Sequence, residues 1–182
     1  MARKLALILM WLALCDGALA DNAIVKLLAQ AQQGDAKALG ALRMELATTQ
    51  GQSAEFQHVI EVFRAGALDR NAQAQFELGY LFEQGLGVPR DYHQAERWYQ
   101  QAAQRGLTDA QFRLGRMYYE GLASGSNRRL GYIWLAIAAE NGYQAALRYR
   151  DACAARLAPD DLAKARKEAA ALLVSTRQGA AK

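Results

Sequence analysis

The sequence predicts an all-α chain built as a solenoid of antiparallel helix pairs, on three observations. The first is an internal period of 36 residues: Ala74, Gln75, Phe76, Leu78 and Gly79 recur as Ala110, Gln111, Phe112, Leu114 and Gly115. The same offset, with no gap, carries Gly85, Trp98, Ala102, Ala103 and Gly106 onto Gly121, Trp134, Ala138, Ala139 and Gly142. A repeat of this length marks units that each bury an apolar face on the next. The second is spacing: Phe56, Val59, Ile60 and Phe63 fall at i, i+3, i+4 and i+7, one face of a helix, and no segment alternates polar with apolar. The third is punctuation, with Gly and short polar clusters every ~12 to 18 residues, the rhythm of helix hairpins.

Residues 1–20 read as a secretory signal peptide. Arg3 and Lys4 form a basic start, Leu5 to Leu14 is an unbroken apolar run, and Ala18-Leu19-Ala20 is a small-x-small cleavage pattern. The run is too short to span a bilayer, so the mature chain is expected to begin at Asp21 and to be periplasmic or secreted. A competing reading takes Leu12-Ala13-Leu14-Cys15 as a lipidation box, although Leu14 is not the small residue that usually precedes such a cysteine. Removing Arg3, Lys4 and Asp16 leaves 20 basic and 17 acidic residues, a net charge near +3. That is too mild to point to nucleic acid. The late basic residues Arg148, Arg150, Arg156, Lys164, Arg166 and Lys167 read as a solvated helix face. Cys153 has no intramolecular partner once Cys15 is removed, and its alanine neighbours make it a small core residue.

Residues 21–70 read as three helices, with a degenerate repeat at Gly34-Asp35-Ala36-Lys37-Ala38 and Leu42, one period upstream of Ala74 and Leu78. The first clear pair occupies 71–106. Its first helix covers Ala72 to Gln84 and stops at Gly85, suited to the left-handed turn that ends helices. Asp91 is the N-cap of the second helix, and Gln94 three residues on completes a capping-box pattern. Gly79, Ala95 and Ala102 let the two helices approach closely, and Trp98 shares the face of Ala95 and Ala102, so Trp98 and Trp134 read as core. The second pair occupies 107–142, with Asn127 in the N-cap place and Gly131 where the first has Ala95. Residues 143–182 supply a helix over Gln144 to Leu157 and a capping helix that opens at Pro159.

These residues resemble the Sel1-like repeat, a relative of the tetratricopeptide repeat. Ala74, Leu78, Gly79, Gly85, Gly87, Val88, Asp91, Ala95, Trp98, Ala102, Ala103 and Gly106 match its pattern in order, with Phe82 in a tyrosine place. The second copy matches at Ala110, Leu114, Gly115, Tyr118, Gly121, Trp134, Ala138, Ala139 and Gly142, and departs at Ala123, Ser124, Asn127 and Gly131, so its bend is expected to differ. The resemblance implies a right-handed superhelix that acts as an interaction scaffold, in exported bacterial members serving envelope assembly, exopolysaccharide secretion or host contact.

In such solenoids the first helix of each pair lines the concave face. That places Gln73, Phe76, Tyr80 and Glu83 inward, then Asp109, Phe112, Arg116 and Tyr119. The partner-binding set is therefore Phe76, Tyr80, Glu83, Phe112, Arg116 and Tyr119, aromatic rings beside one carboxylate and one guanidinium, suited to a peptide segment. Phe76 and Phe112 fit a groove and an inter-helix core equally well, and Glu83 and Glu120 could be solvated helix-end charges. No H-E-x-x-H, G-x-S-x-G or phosphate-binding glycine loop is present, and His58 and His93 lack partners at ligand spacing. No catalytic residue, metal or cofactor is assigned. The reading is a monomeric, non-enzymatic adaptor for a protein or peptide partner. Two alternatives are a lipid-anchored subunit of an envelope complex, which requires Cys15 to be acylated, and a β-lactam-binding hydrolase. Exported repeat proteins of the latter kind carry regular disulfides that this chain lacks.

Overall fold

The computed structural model describes residues 23–49, 54–122, 124–125 and 127–180, so the signal segment, Cys15 and Asp21 lie outside the described residues. Among the described residues every regular element is an α-helix: α1 (Ala23–Gln32), α2 (Ala36–Thr49), α3 (Ala54–Leu68), α4 (Ala72–Gln84), α5 (Tyr92–Gln104), α6 (Thr108–Glu120), α7 (Arg128–Glu140), α8 (Ala146–Ala154) and α9 (Pro159–Ala180). Each helix packs on the next from α3 to α8; α9 folds back onto α7, and α2 packs on α4 across the stack. None of them is long and apolar enough to cross a membrane.

The two pairs α4–α5 and α6–α7 are held by the same devices 36 residues apart. Gly85 and Gly121 end their helices at φ 74° and 73°, and their N–H groups donate to Leu81 and Met117 carbonyls at 2.8 Å. Asp91 and Asn127 cap α5 and α7 through side-chain oxygens. The reciprocal arm of a capping box does not form at Asp91. Its N–H donates instead to the Phe82 carbonyl at 2.9 Å, and the Asn127 N–H donates to the Tyr118 carbonyl at 3.1 Å. That bond ties the start of each second helix to the end of the first and recurs in both pairs, while Ala123 of the second bend lies outside the described residues.

Between layers the repeated glutamine does the equivalent work. Gln75 and Gln111 are buried and donate to the carbonyls of Ala67 and Ala103, which lie near the ends of the preceding helices. Each carbonyl also accepts a backbone N–H just past its helix end, from Arg70 at 3.2 Å and from Gly106 at 3.0 Å, so the glutamine takes the second lone pair and ties one layer to the next.

Small residues let the paired helices approach closely, to backbone contact in the second pair. A Cβ on Gly79 would lie 2.8 Å from a Tyr99 ring carbon; one on Gly115 would lie 2.7 Å from Leu135 Cγ and 3.2 Å from the Gly131 carbonyl oxygen. The close approach is as the sequence predicts, but in the first pair the ring seated against Gly79 is Tyr99, which is fully buried. Trp98 is a correction. Trp134 is core, at 5% exposed, whereas Trp98 is only half-buried, because among the described residues no helix covers it as α9 covers Trp134. Cys153 is buried against Gly131, and burial pushes its thiol up to about 11, so it packs as an inert small residue.

Gly115→Ala should therefore cost about 1–3 kcal/mol and lower Tm by several degrees, because backbone as well as side chain blocks the new methyl. Gly40→Ala on α2 is the contrast: its nearest neighbour would be Glu77 Oε1 at 3.9 Å, so its Tm should hold or rise. Circular-dichroism melts of the two variants check the pair. Equal losses would show that helix contact at Gly115 is looser than drawn.

Candidate functional site

A band of arginine and tyrosine crosses the stack on the side of the first helices. Tyr80 on α4 lies between two guanidinium groups, Arg43 from α2 at 4.9 Å and Arg113 from α6 at 5.2 Å from its ring centroid. One layer on, Arg156 donates to the Tyr119 hydroxyl at 3.1 Å, and Tyr149 meets the Tyr119 ring edge-on at 5.6 Å. Arg148 in turn lies 4.7 Å from the centre of the Tyr149 ring. Tyr80 and Tyr119 are half-buried, so each ring keeps an open edge while cations fix its orientation.

The carboxylates beneath this band are structural. Glu83 is 4% exposed; it accepts from the Tyr99 hydroxyl at 2.5 Å and from Arg116 at 3.0 Å, with Arg113 at 3.4 Å. Burial, then the Glu83 charge, raises the Tyr99 hydroxyl well above its ordinary range, which keeps it a donor. Burial disfavours the Arg113 charge, yet Glu83 together with Tyr99, Tyr80 and Tyr143 more than offsets it and raises that group. Glu83 thus clamps α4, α5 and α6 together and is no solvated helix-end charge, whereas Glu120 is exposed and pairs with Arg116 at 3.4 Å.

Glu77 is the second buried acid. Its Oε2 lies 2.7 Å from Arg43 Nε, without the alignment of a hydrogen bond, and Gln73 donates to its Oε1 at 2.5 Å. Burial outweighs Arg43 and Gln73 and lifts the carboxyl to about 7, with Asp109 adding to the rise.

Of the six residues singled out by sequence, Tyr80, Arg116 and Tyr119 reach the surface band. Phe76 and Phe112 are core, at 6% and 7% exposed: Phe76 packs 5.6 Å from Tyr99, and Phe112 stacks on Tyr143 at 4.4 Å. Of their two sequence readings the inter-helix one describes them. Sequence reasoning missed Arg43, Arg113, Tyr149 and Arg156. A signal was available: Glu77 and Arg113 occupy the same place in successive repeats with opposite charge, a pattern by which neighbouring layers pair. Among the described residues no group of three or more histidines, cysteines or carboxylates is placed to hold a metal ion.

A family model of the Sel1 repeat matches residues 72–107 and 108–143. Among solved structures the chain is similar to a protective antigen of uropathogenic Escherichia coli that displays an SLR fold, at TM-score 0.74 and 28% identity, covering 91% of this chain and 35% of that one. It is also similar to a Sel1 repeat protein from Oxalobacter formigenes, at TM-score 0.55 and 29% identity over 69% of this chain and 95% of that one. Among curated proteins, the ERAD-associated E3 ubiquitin-protein ligase component HRD3B of Arabidopsis thaliana is 43% identical over 54 residues, 30% of this chain and 9% of that protein. Human sel-1 homolog 2 is 56% identical over 34 residues, 19% of this chain and 5% of that protein. The chain thus spans under a tenth of the length of these curated relatives.

Because burial holds the Glu77 carboxyl up at about 7 against an ordinary value of 4.5, its ionisation works against the fold. The sign follows: the folded state binds the extra proton, so stability from this group is greatest below the unfolded value and falls as pH rises from 4.5 through 7. Glu77→Gln should match the parent near pH 5 and exceed it near pH 8 by roughly 2–3 kcal/mol. Urea unfolding at the two pH values measures this; a constant difference would refute it. The matched repeats, the two SLR-fold structures and the geometry agree: residues 72–143 form two tandem Sel1 repeats within an all-α solenoid.

Proposed function

We propose that the chain is exported and works as a non-enzymatic adaptor, holding a segment of a protein partner along the arginine–tyrosine band. The observation that carries this reading is the pair of oriented, half-open rings, Tyr80 and Tyr119, each set beside guanidinium groups. Rings fixed before binding lose little rotamer freedom on contact, and tyrosine with arginine supplies much of the binding energy at protein interfaces. The cations add a preference: a partner segment with carboxylates or a free C-terminus would meet Arg148 and Arg156, both exposed.

Relatives support an assembly role. One matched protein is named as a ubiquitin-ligase component and another, from Malassezia restricta, as a chitin synthase regulator. Export rests on the basic start, apolar run and cleavage pattern of residues 1–20. Retention of an acylated Cys15 would make the same adaptor a lipid-anchored subunit, and the mass of the mature chain distinguishes the two.

Crosslinking of the tagged protein in its own cell envelope, followed by mass spectrometry, should recover one dominant partner. Tyr80→Ala with Tyr119→Ala should lose that partner while far-UV helicity is retained. Arg156→Ala, at an exposed site, should weaken capture by about fivefold with no change in Tm. Unchanged capture in all the variants would remove the band from the binding surface. Turnover of a chromogenic β-lactam by the purified chain would replace the adaptor reading with an enzymatic one.

A further inference from the structure

The repeat produces a second surface twice, and among the described residues a further helix walls only one copy. Arg64, Phe82, Gln94 and Trp98 line a groove of about 230 Å³ between α3, α4 and α5. Moving each by 36 residues gives Gln100, Tyr118, Leu130 and Trp134, which line a groove between α5, α6 and α7. There α9 forms the far wall, through Ala171, Leu172 and Ser175, and Glu168 adds an ion pair to Arg129 at 2.8 Å. In the first groove no helix among the described residues takes the place of α9. Trp98 stays half-buried where Trp134 is covered, and Leu68 on the rim is 68% exposed.

The two grooves differ in charge. Arg64 stands where the filled groove has Gln100, and Arg97 stands where it has Ile133; His93 replaces Arg129, the residue that meets Glu168. The acid at the first rim is Glu61, paired with Arg64 at 2.7 Å. The first seat is therefore the more basic. α9 itself suits it poorly, because Lys164 and Lys167 lie one turn before Glu168 and Ala171 on the groove-facing side. It is also already held by α7 of its own chain, which disfavours a second copy as occupant.

We infer that the groove at Trp98 receives an amphipathic helix of a partner protein, with small and branched apolar residues spaced as in α9 and carboxylates on its flank toward Arg64, His93 and Arg97. The α9-walled groove shows a helix of this stripe packing along such a surface, and charge complementarity selects an acidic one for the first. The site is separate from the arginine–tyrosine band, so a scaffold using both could join two partners.

The test uses the full chain and two fluorescein-labelled peptides: residues 159–177, and the same peptide with Lys164→Glu and Lys167→Glu. Fluorescence anisotropy should show the acidic peptide binding in the micromolar range and the parent peptide about tenfold more weakly. Leu68→Glu in the protein, at an exposed position that leaves Tm unchanged, should abolish binding of both. Arg64→Glu should weaken the acidic peptide and strengthen the parent. Failure of the acidic peptide to bind, or binding indifferent to Leu68→Glu, overturns the proposal. Two further results would also overturn it by naming a different occupant: a dimer in sedimentation that Leu68→Glu dissolves (a second copy), or a groove that opens only when the chain begins at Asp21 (its own leader).

Discussion

The fold depends on the close approach of the two helices inside each pair, to backbone contact in the second. Where Gly115 faces Gly131, each would place a Cβ within 3.3 Å of the other's carbonyl oxygen, so no side chain separates the two helices there. Bulk removed from that line has to be buried elsewhere: Leu135 sits over Gly115, Tyr99 over Gly79, and Cys153 over Gly131. Leu135 and Tyr99 close their own pairs, whereas Cys153 comes from the next helix and joins one layer to the next. A solenoid follows from that division, because each pair is dry within and incomplete at its sides.

The same constraint explains why charged groups are buried between layers. Tyr99, forced inward opposite Gly79, brings a hydroxyl that has to be satisfied, and Glu83 satisfies it. A buried carboxylate then needs cations, which arrive from the next repeat as Arg113 and Arg116. One packing choice in the first pair thus fixes the composition of the facing helix in the second. Removing Glu83 would leave the buried Tyr99 hydroxyl without its acceptor and take a carboxylate from Arg113 and Arg116 at once, so its role in the stack is larger than its place at a helix end implies.

Much of this was legible in the residues. The period located α4 to α7, glycine and capping residues set their ends, and the proline at 159 opens the last helix. What sequence could not show was which copies of a motif position have a neighbour. Trp98 and Trp134 are identical in the repeat, yet their burial differs because α9 reaches only one of them. Phe76 and Tyr80 fall on the same predicted face, but the stacking rotation buries the first and leaves the second half-open. Arg43 was invisible for a related reason: the degenerate first repeat has no exact register to read it by, and only the packing of α2 on α4 brings it to Tyr80.

The differences between the repeats are as informative as the identities. Between α4 and α6 the identical residues Ala74, Gln75, Phe76, Leu78 and Gly79 are all buried, as are their counterparts. The changes of charge or aromatic character fall at Gln73/Asp109, Glu77/Arg113, Tyr80/Arg116, Glu83/Tyr119 and Gln84/Glu120. At the angular spacing of an α-helix these five positions span about 120°, one side of the cylinder. A face whose only duty was stacking would need each layer to look like the last. Here Glu77 and Glu83 vary as buried acids that pair with the neighbouring layers, whereas Tyr80, Arg116 and Tyr119 vary in the half-open band, which is where a surface that reads a particular partner has to vary.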